Sequence, residues 1–273
     1  MRLNSKSSVG TIQCIWALCF VLLVSLSHML YAQQPSSNLV LYDNFDERFL
    51  DPAKWSPYGA CYTDNGMELE CVREIRDERL HVAHRNFGNR DSNVGNQFGS
   101  AAVSFVNPSQ IKSIATDLAV LHAEAVSCAA NLGFGAAAHI DANFFNTGSG
   151  KSSDDIGAHL AFQPDLSGGV FIFAQISQGN NYFFFLPLGN SSMGTPLRAT
   201  LTWDQSNHRF LVSWTDLRTN IKTEGMMPYS FTDSTPAVGP WKNLSVNTFP
   251  ANCVANPTWQ YIHATFANVH IGQ

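Results

Sequence analysis

Beyond residue 38, apolar and polar residues alternate along short segments of the chain, with turn residues between them. The first segment, residues 39–45, is followed by the turn signal Asp51-Pro52. Later segments rich in aliphatic and aromatic residues recur between clusters of Gly, Asn, Ser and Pro. Many short strands predict an all-β fold, a two-sheet antiparallel jelly-roll sandwich of roughly a dozen strands. The predicted strands are residues 39–45, 79–84, 101–106, 111–126, 134–145, 156–162, 170–177, 182–188, 197–203, 208–215 and 261–271.

One predicted hairpin can be written in register. Every second residue of 197–203 is apolar, and residues 208–215 follow with the same period after the loop 204–207. Because strand side chains alternate between faces, the apolar set covers one face and the polar set the other. The expected opposite pairs are Trp203 with His208, Leu201 with Phe210, Ala199 with Val212 and Leu197 with Trp214.

The first residues are typical of an export signal. Arg2 and Lys6 precede the apolar run 15–26, and Ala32 offers a cleavage point. This order predicts a signal peptide over residues 1–32 and one jelly-roll domain over residues 33–273. The protein is then secreted, extracellular or periplasmic, with no membrane span after cleavage. An uncleaved membrane anchor is the alternative, since the apolar stretch is nearly long enough to cross a bilayer.

The charge of the chain excludes one class of partner. The formal net charge is −5, and it becomes −7 when Arg2 and Lys6 leave with the signal peptide. The chain has no basic run, so it lacks the electrostatic footprint of a nucleic-acid-binding protein.

Four cysteines remain after the predicted cleavage: Cys61, Cys71, Cys128 and Cys253. In an oxidising compartment they predict two disulfides, and three connectivities are open. The short separation of Cys61 and Cys71 favours a local loop, which leaves Cys128 with Cys253. A four-thiolate metal site is disfavoured because no Cys-x-x-Cys spacing occurs.

The best candidate site lies on residues 138–144, where alternation puts His139, Asp141 and Asn143 on one face. The following strand returns from Asp155 through residue 157 to His159, and we expect these residues to be cross-strand neighbours of the first set. Imidazole, carboxylate and amide groups on one sheet face can bind sugar hydroxyls or a cation. The alternative is a polar face satisfied by water and cross-strand hydrogen bonds.

An aromatic run, residues 182–185, can extend this face. Alternation predicts Tyr182 and Phe184 on one side of the strand and Phe183 and Phe185 on the other, with one pair in the core. Tyr182 is the candidate ligand-binding residue if its side of the strand lies beside His159.

The chain resembles secreted bacterial proteins of the concanavalin A-like (LamG-like) jelly-roll superfamily. Strand and tryptophan segments typical of that superfamily are 42–46 (YDNFD), 50–55 (LDPAKW), 75–82 (IRDERLHV), 201–204 (LTWD) and 264–271 (ATFANVHI). More specific matches are 127–131 (SCAAN), 144–148 (FFNTG), 241–244 (WKNL) and 252–253 (NC). The resemblance implies the jelly-roll fold, which carries lectins, glucanases, binding modules and adhesive domains.

The resemblance also bears on metals. Plant-type lectins of this fold hold metal ions with an acid, asparagine, acid, histidine series, whereas here His139 replaces the acid before the first aspartate. Calcium is the one cofactor the resemblance suggests. It could bridge Asp43 or Asp46 with the final strand, although no EF-hand pattern is present.

Glucanases of this superfamily carry a Glu-x-Asp-x-x-Glu strand, and this chain has none. No Gly-x-Ser-x-Gly nucleophile motif occurs either. The sequence therefore favours a non-catalytic carbohydrate-binding module for an extracellular glycan, with His139, Asp141, Asn143, His159 and Tyr182 as ligand-binding residues. The alternatives are a structural or adhesive cell-envelope protein, and a polysaccharide hydrolase or lyase with an unrecognised site.

Overall fold

The computed structural model describes residues 38–56, 61–63, 69–87, 98–126, 135–165, 167–179, 181–250 and 258–273. The predicted signal peptide, Cys128 and Cys253 lie outside these ranges. No helix in the described ranges is long and apolar enough to cross a membrane.

Strands dominate the described residues, and three short 3-10 helices join some of them. The 3-10 helices are Pro108–Gln110, Ser152–Asp154 and Gln205–Asn207. The strands, in chain order, are β1 (Val40–Asp43), β2 (Trp55–Ser56), β3 (Cys61–Thr63), β4 (Leu69–Arg76), β5 (Arg79–Phe87), β6 (Gly99–Phe105), β7 (Ser113–Val126), β8 (Ala137–Asn146), β9 (Asp155–Pro164), β10 (Gly169–Gln178), β11 (Asn181–Ser192), β12 (Leu197–Asp204), β13 (Arg209–Asp216), β14 (Lys222–Pro228), β15 (Thr235–Pro236), β16 (Lys242–Thr248) and β17 (Trp259–Gly272).

The strands form two antiparallel sheets. Sheet A has the order β14-β13-β12-β7-β17-β5-β4, and β1 also pairs with β17. Sheet B has the order β11-β10-β9-β8-β16-β6-β2, with β15 beside β8 and β3 beside β6. The predicted all-β, two-sheet antiparallel jelly-roll sandwich is confirmed.

The core lies between the two sheets and follows from the period-two pattern. In β8 the alternate residues Ile140 and Ala142 are fully buried, as is Leu160 in β9. Sheet A contributes the large side chains of Phe210 and Phe266, which are also fully buried. Burying an apolar side chain of this size contributes about 1.5–3 kcal/mol. The other face of each sheet is the outer face, which points away from the partner sheet.

A disulfide between Cys61 and Cys71 links β3 of sheet B to β4 of sheet A. It confirms the predicted local pairing of these two cysteines.

The β12–β13 hairpin has the predicted faces and a different register. Ala199 pairs with Trp214, and Leu201 pairs with Val212 instead of Phe210. The loop is 205–208 because His208 adopts a left-handed conformation with φ of 48°. The Asp204 carboxylate accepts hydrogen bonds from Asn207 and Arg209 across this loop. The strands therefore shift by two residues, which keeps every side chain on its predicted face.

Three strands of more than three residues escaped the sequence prediction: β4, β14 and β16. The first two have many exposed charged or polar positions, so their apolar alternation is weak. In β16 the buried face of sheet B is short and is supplied by Leu244 and Val246. Two tryptophans begin strands: Trp55 in β2 is buried in the core, and Trp259 begins β17.

Candidate functional site

The candidate residues meet on the outer face of sheet B. Asp141 in β8 lies directly opposite His159 in β9, and Asn143 lies opposite Gly157. This juxtaposition is the one that alternation predicted. Asp155 does not join it, because a bulge after Asn143 pairs Asp155 with Asn146.

A short hydrogen-bonded series runs through His159. Its Nδ1 lies 2.6 Å from Asp141 Oδ1, and its Nε2 lies 2.6 Å from Ser177 Oγ in β10. The second Asp141 oxygen accepts a hydrogen bond of 3.0 Å from Ser245 Oγ in β16. Four neighbouring strands of sheet B thus contribute one residue each.

Asp141 is buried, with 5% of its surface exposed. Burial is the largest influence on its pKa and acts to raise it, because a carboxylate is poorly solvated there. The neighbouring His139 and His159 together outweigh burial and lower the pKa of Asp141 below its usual value. Asp141 is therefore ionised at neutral pH. Its charge favours the tautomer of His159 that donates from Nδ1.

Several polar atoms on this face are buried without a hydrogen-bond partner in the described part of the chain. His139 Nδ1 lies 3.5 Å from Asp141 Oδ1, and neither ring nitrogen of His139 makes a hydrogen bond. Asn243 Oδ1 and Asn247 Oδ1, on the neighbouring β16, are also unsatisfied. A buried polar atom without a partner costs about 1–3 kcal/mol, so such a group is well placed to gain from a ligand.

Two aromatic rings flank His159. Tyr182 in β11 lies edge-on with its centroid 6.2 Å away, and the Trp241 ring lies 6.5 Å away. Tyr182 is 61% exposed, so its face is open to solvent. Partial burial, followed by the Asp141 charge, raises the pKa of Tyr182.

The predicted partnership of Tyr182 with Phe184 is wrong. A bulge in β11 places Tyr182 opposite Ser177 and Phe184 opposite the buried Ile176. Phe184 therefore packs against the core. The residue that shares the face of Tyr182 is Phe185, which lies opposite Gln175.

Phe185 belongs to an aromatic patch beside the polar cluster. Its ring lies 5.2 Å from that of Phe173 and 6.3 Å from that of Phe171, both in β10. Phe185 is 52% exposed. Polar and aromatic surfaces therefore adjoin on one sheet face.

Asn143 is held through its backbone. Its N–H donates to Trp241 O at 2.9 Å, and its carbonyl accepts a hydrogen bond of 2.8 Å from Lys242 Nζ. Lys242 is almost fully buried, which lowers its pKa to about 7. Its ammonium group also lies 4.5 Å from the centre of the Phe144 ring. The segment 241–242 therefore fixes the end of β8 that carries Asn143.

The calcium site suggested near the first strand does not fit the residues there. Asp43 Oδ2 accepts a 2.6 Å hydrogen bond from the Trp55 indole, and Oδ1 accepts one from Phe45 N. Asp46 instead lies in the loop and accepts a hydrogen bond from Asn44. More generally, no group of three or more His, Cys, Asp or Glu side chains within the described ranges is arranged to hold a metal ion.

Sequence reasoning missed Ser177, Ser245 and Trp241 as members of this cluster. Ser177 carried a detectable signal, because the predicted strand 170–177 places it on the same side as Gln175. The strand β16, which brings Ser245, was not predicted, so no sequence pattern linked Ser245 to Asp141.

No protein-family model matches the chain, and no curated protein matches it. Among solved structures, lectin II from Ulex europaeus is 12% identical with a TM-score of 0.37, and the match covers 76% of this chain and 97% of the lectin. Winged bean acidic lectin, solved with methyl-α-D-galactose, is 13% identical with a TM-score of 0.38 over 78% of this chain and 98% of the lectin.

A prokaryotic β-1,3-1,4-glucanase (lichenase) from a mouse hindgut metagenome is also similar. It is 12% identical with a TM-score of 0.40, and the match covers 83% of this chain and 97% of the enzyme.

Proposed function

We propose that the protein is exported from the cell and binds an extracellular glycan on the outer face of sheet B. The observation that carries this proposal is the polar cluster around Asp141 and His159, flanked by the exposed ring of Tyr182. Sugars present hydroxyl groups around their edge and C–H groups on their faces. They therefore suit a surface that combines charged hydrogen-bonding groups with an aromatic ring.

Each predicted ligand-binding residue has a role in this proposal. His139 and Asn143 offer hydrogen-bonding groups at the edge of the cluster, and Tyr182 offers a ring for stacking. Asp141 is too buried to contact much of a sugar, so it acts mainly by orienting His159 and by charging the site. The unsatisfied oxygen of Asn243 adds an acceptor on the β16 side.

Export is supported by the signal-like segment at the start of the chain and by the disulfide between Cys61 and Cys71, since disulfides persist in oxidising compartments. The same reasoning extends to a second disulfide between Cys128 and Cys253. The amount of free thiol in the denatured, unreduced protein tests that pairing.

The experiment for the glycan proposal is a glycan-array screen of the folded, oxidised protein, followed by affinity measurements on the retained glycan. The double variant Asp141→Ala/His159→Ala should bind at least about 100-fold more weakly, since lost hydrogen bonds to charged groups cost about 1.5–3 kcal/mol each.

The matched control is His122→Ala/Glu124→Ala. His122 Nε2 and Glu124 Oε1 also lie 2.6 Å apart, but on the outer face of sheet A, where both are exposed. This variant should bind like the wild type. Equal binding by wild type and the Asp141/His159 variant would show that the glycan does not bind to this face. An array on which no glycan is retained would favour a structural or adhesive role.

The array is run with calcium and again with chelator. Binding that persists in chelator rests on the side chains alone. Loss of binding in chelator would mean that a cation takes part in binding the glycan.

A further inference from the structure

Ser177, His159 and Asp141 form an unbroken series across three adjacent strands. Ser177 Oγ lies 2.6 Å from His159 Nε2, and the other ring nitrogen lies 2.6 Å from Asp141 Oδ1. A hydroxyl, an imidazole and a carboxylate in this order are the parts of a serine-hydrolase triad, which is recognised by geometry and not by sequence position.

His159 is unusual among the histidines that the structure describes. His122 and His208 each form a hydrogen bond with a carboxylate, and His84 forms one with a threonine hydroxyl. His159 alone in the described ranges combines a carboxylate on one nitrogen with a serine hydroxyl on the other. A nucleophile needs both, because the base must accept its proton and must itself be held in one tautomer.

From this geometry we propose that the protein hydrolyses acyl esters, with Ser177 as the nucleophile, His159 as the general base and Asp141 as the residue that positions His159. The site lies in the face proposed to bind glycan, so the natural substrate is an O-acylated sugar; that part of the inference rests on the proposed function. Ser177 is only 4% exposed, which favours a small acyl group such as acetyl.

The surroundings of Ser177 fit this role. Its cross-strand neighbour Tyr182 has a raised pKa, so the phenol stays protonated and can donate to the oxygen that becomes charged. On the other side lies Gly157, where a Cβ would be 3.3 Å from Ser177 Oγ and 2.7 Å from Asn143 Oδ1. The missing side chain lets Ser177 and Asn143 approach the same point.

The reaction balances with water as the second reactant. Ser177 Oγ attacks the ester carbonyl carbon while its proton passes to His159 Nε2. The bond between the carbonyl carbon and the sugar oxygen then breaks, and the departing sugar oxygen takes the proton from His159 to become a hydroxyl. Water attacks the acyl-serine with His159 again as the base, which releases the carboxylic acid and restores Ser177.

Two probes test the chemistry on the full chain: a fluorophosphonate, which labels activated serines, and p-nitrophenyl acetate. We expect labelling at Ser177, located by peptide mass mapping, and hydrolysis of the aryl ester. Ser177→Ala should lose the label and lower turnover by about 10³-fold or more. Labelling elsewhere, or turnover that persists in Ser177→Ala, would overturn the proposal.

The control is Ser213→Ala. Ser213 is also 4% exposed and also lies in a strand, but in sheet A and away from His159. It should keep both label and turnover. If Ser177→Ala does not fold, His159→Gln provides the second test, and it should lose turnover in the same way.

A comparison of kcat with KM distinguishes a positioning role of Asp141 from a purely structural one. Asp141→Asn keeps the shape of the side chain but holds His159 in the wrong tautomer, so kcat should fall while KM stays unchanged. Equal kcat in this variant and the wild type would remove Asp141 from the proposal.

Acetate release from an acetylated polysaccharide separates the two proposals. Glycan binding without ester hydrolysis would overturn the triad and leave the binding function intact. Hydrolysis of p-nitrophenyl acetate by a protein that binds no glycan would overturn the binding function and leave the triad intact.

Discussion

Two histidines of this molecule have opposite surroundings. His84 in β5 is fully buried between the sheets; its Nδ1 contacts Thr248 Oγ1 at 3.0 Å, and its Nε2 has no hydrogen-bond partner within the described ranges. His159 lies half-buried on the outer face of sheet B, with both ring nitrogens hydrogen-bonded. One histidine faces the core, and the other faces the proposed ligand.

The difference between the two histidines lies in their charged and hydroxyl neighbours and not in burial alone. Around His84 no charge offsets the loss of water, so burial lowers its pKa to about 4 and the ring stays neutral. Around His159 the ionised Asp141 fixes the tautomer, and Ser177 offers a proton to be accepted. The carboxylate and the serine give His159 its chemistry, and His84 has neither.

The largest expected effect is on the turnover of p-nitrophenyl acetate, which should depend on His159 and not on His84. His159→Gln should lower kcat/KM by about 10³- to 10⁴-fold, because it removes the base that accepts the Ser177 proton. His84→Gln, measured at pH 8 on the folded protein, should leave turnover within about twofold, since distant sites act independently. Equal losses in the two variants would contradict the comparison.

The next largest effect is a pH dependence of the free energy of unfolding, which the titration of His84 causes. Its pKa is about 4 in the folded protein against 6.5 for the free side chain, so between these values the unfolded chain binds a proton that the folded one does not. The free energy of unfolding therefore carries no penalty from His84 above about pH 6.5. It falls as the pH drops from there towards 4, by about 3 kcal/mol in total.

Urea unfolding of the oxidised protein at pH 7.5 and pH 4.5 measures this loss. His84→Gln keeps a polar group beside Thr248 and does not titrate, so it should lose less stability than the wild type over the same range. His81 and His263 also have lowered pKa values and act in the same direction in both proteins. Parallel pH curves for wild type and variant would contradict the prediction.

The smallest effects concern the glycine beside each histidine. A Cβ at Gly99 would lie 2.5 Å from His84 Cε1 and 2.6 Å from Asn86 Nδ2, inside the tightly packed core. Gly99→Ala should destabilise the fold by about 1–3 kcal/mol, as overpacking does, and leave turnover unchanged.

Gly157→Ala should behave in the opposite way. Its Cβ would meet the flexible Asn143 side chain at 2.7 Å and the Ala142 carbonyl oxygen at 3.1 Å, so the stability cost should lie at the lower end of the about 1–3 kcal/mol that overpacking costs. Turnover should fall at least about tenfold, because the atoms beside Ser177 must shift. Urea unfolding and aryl-ester kinetics on both variants test the pair, and a loss of stability without a loss of turnover at Gly157 would contradict it.

The sequence predicted the features that depend on strand parity. Residues 138–144 alternate regularly, so the shared face of His139, Asp141 and Asn143 and the pairing of Asp141 with His159 could be inferred before the fold was known. The faces of the β12–β13 hairpin were predicted for the same reason.

Features that depend on local backbone geometry could not be inferred. The left-handed His208 moved the hairpin register by two residues, and the bulge before Phe184 turned that ring toward the core. The predicted strand 170–177 puts Ser177 on the same side as Gln175, but no motif marks its contact with His159, which lies 18 residues away on another strand.

The most direct test of the site is a titration of the protein with the glycan retained on the array. Long-range ¹H–¹⁵N NMR spectra record the nitrogen signals of the histidine rings at each step. Binding on the outer face of sheet B predicts shifts at His139 and His159 and none at His84, His81 or His263. Shifts at His81 and His263, with His139 and His159 unmoved, would assign the glycan to sheet A and contradict the account.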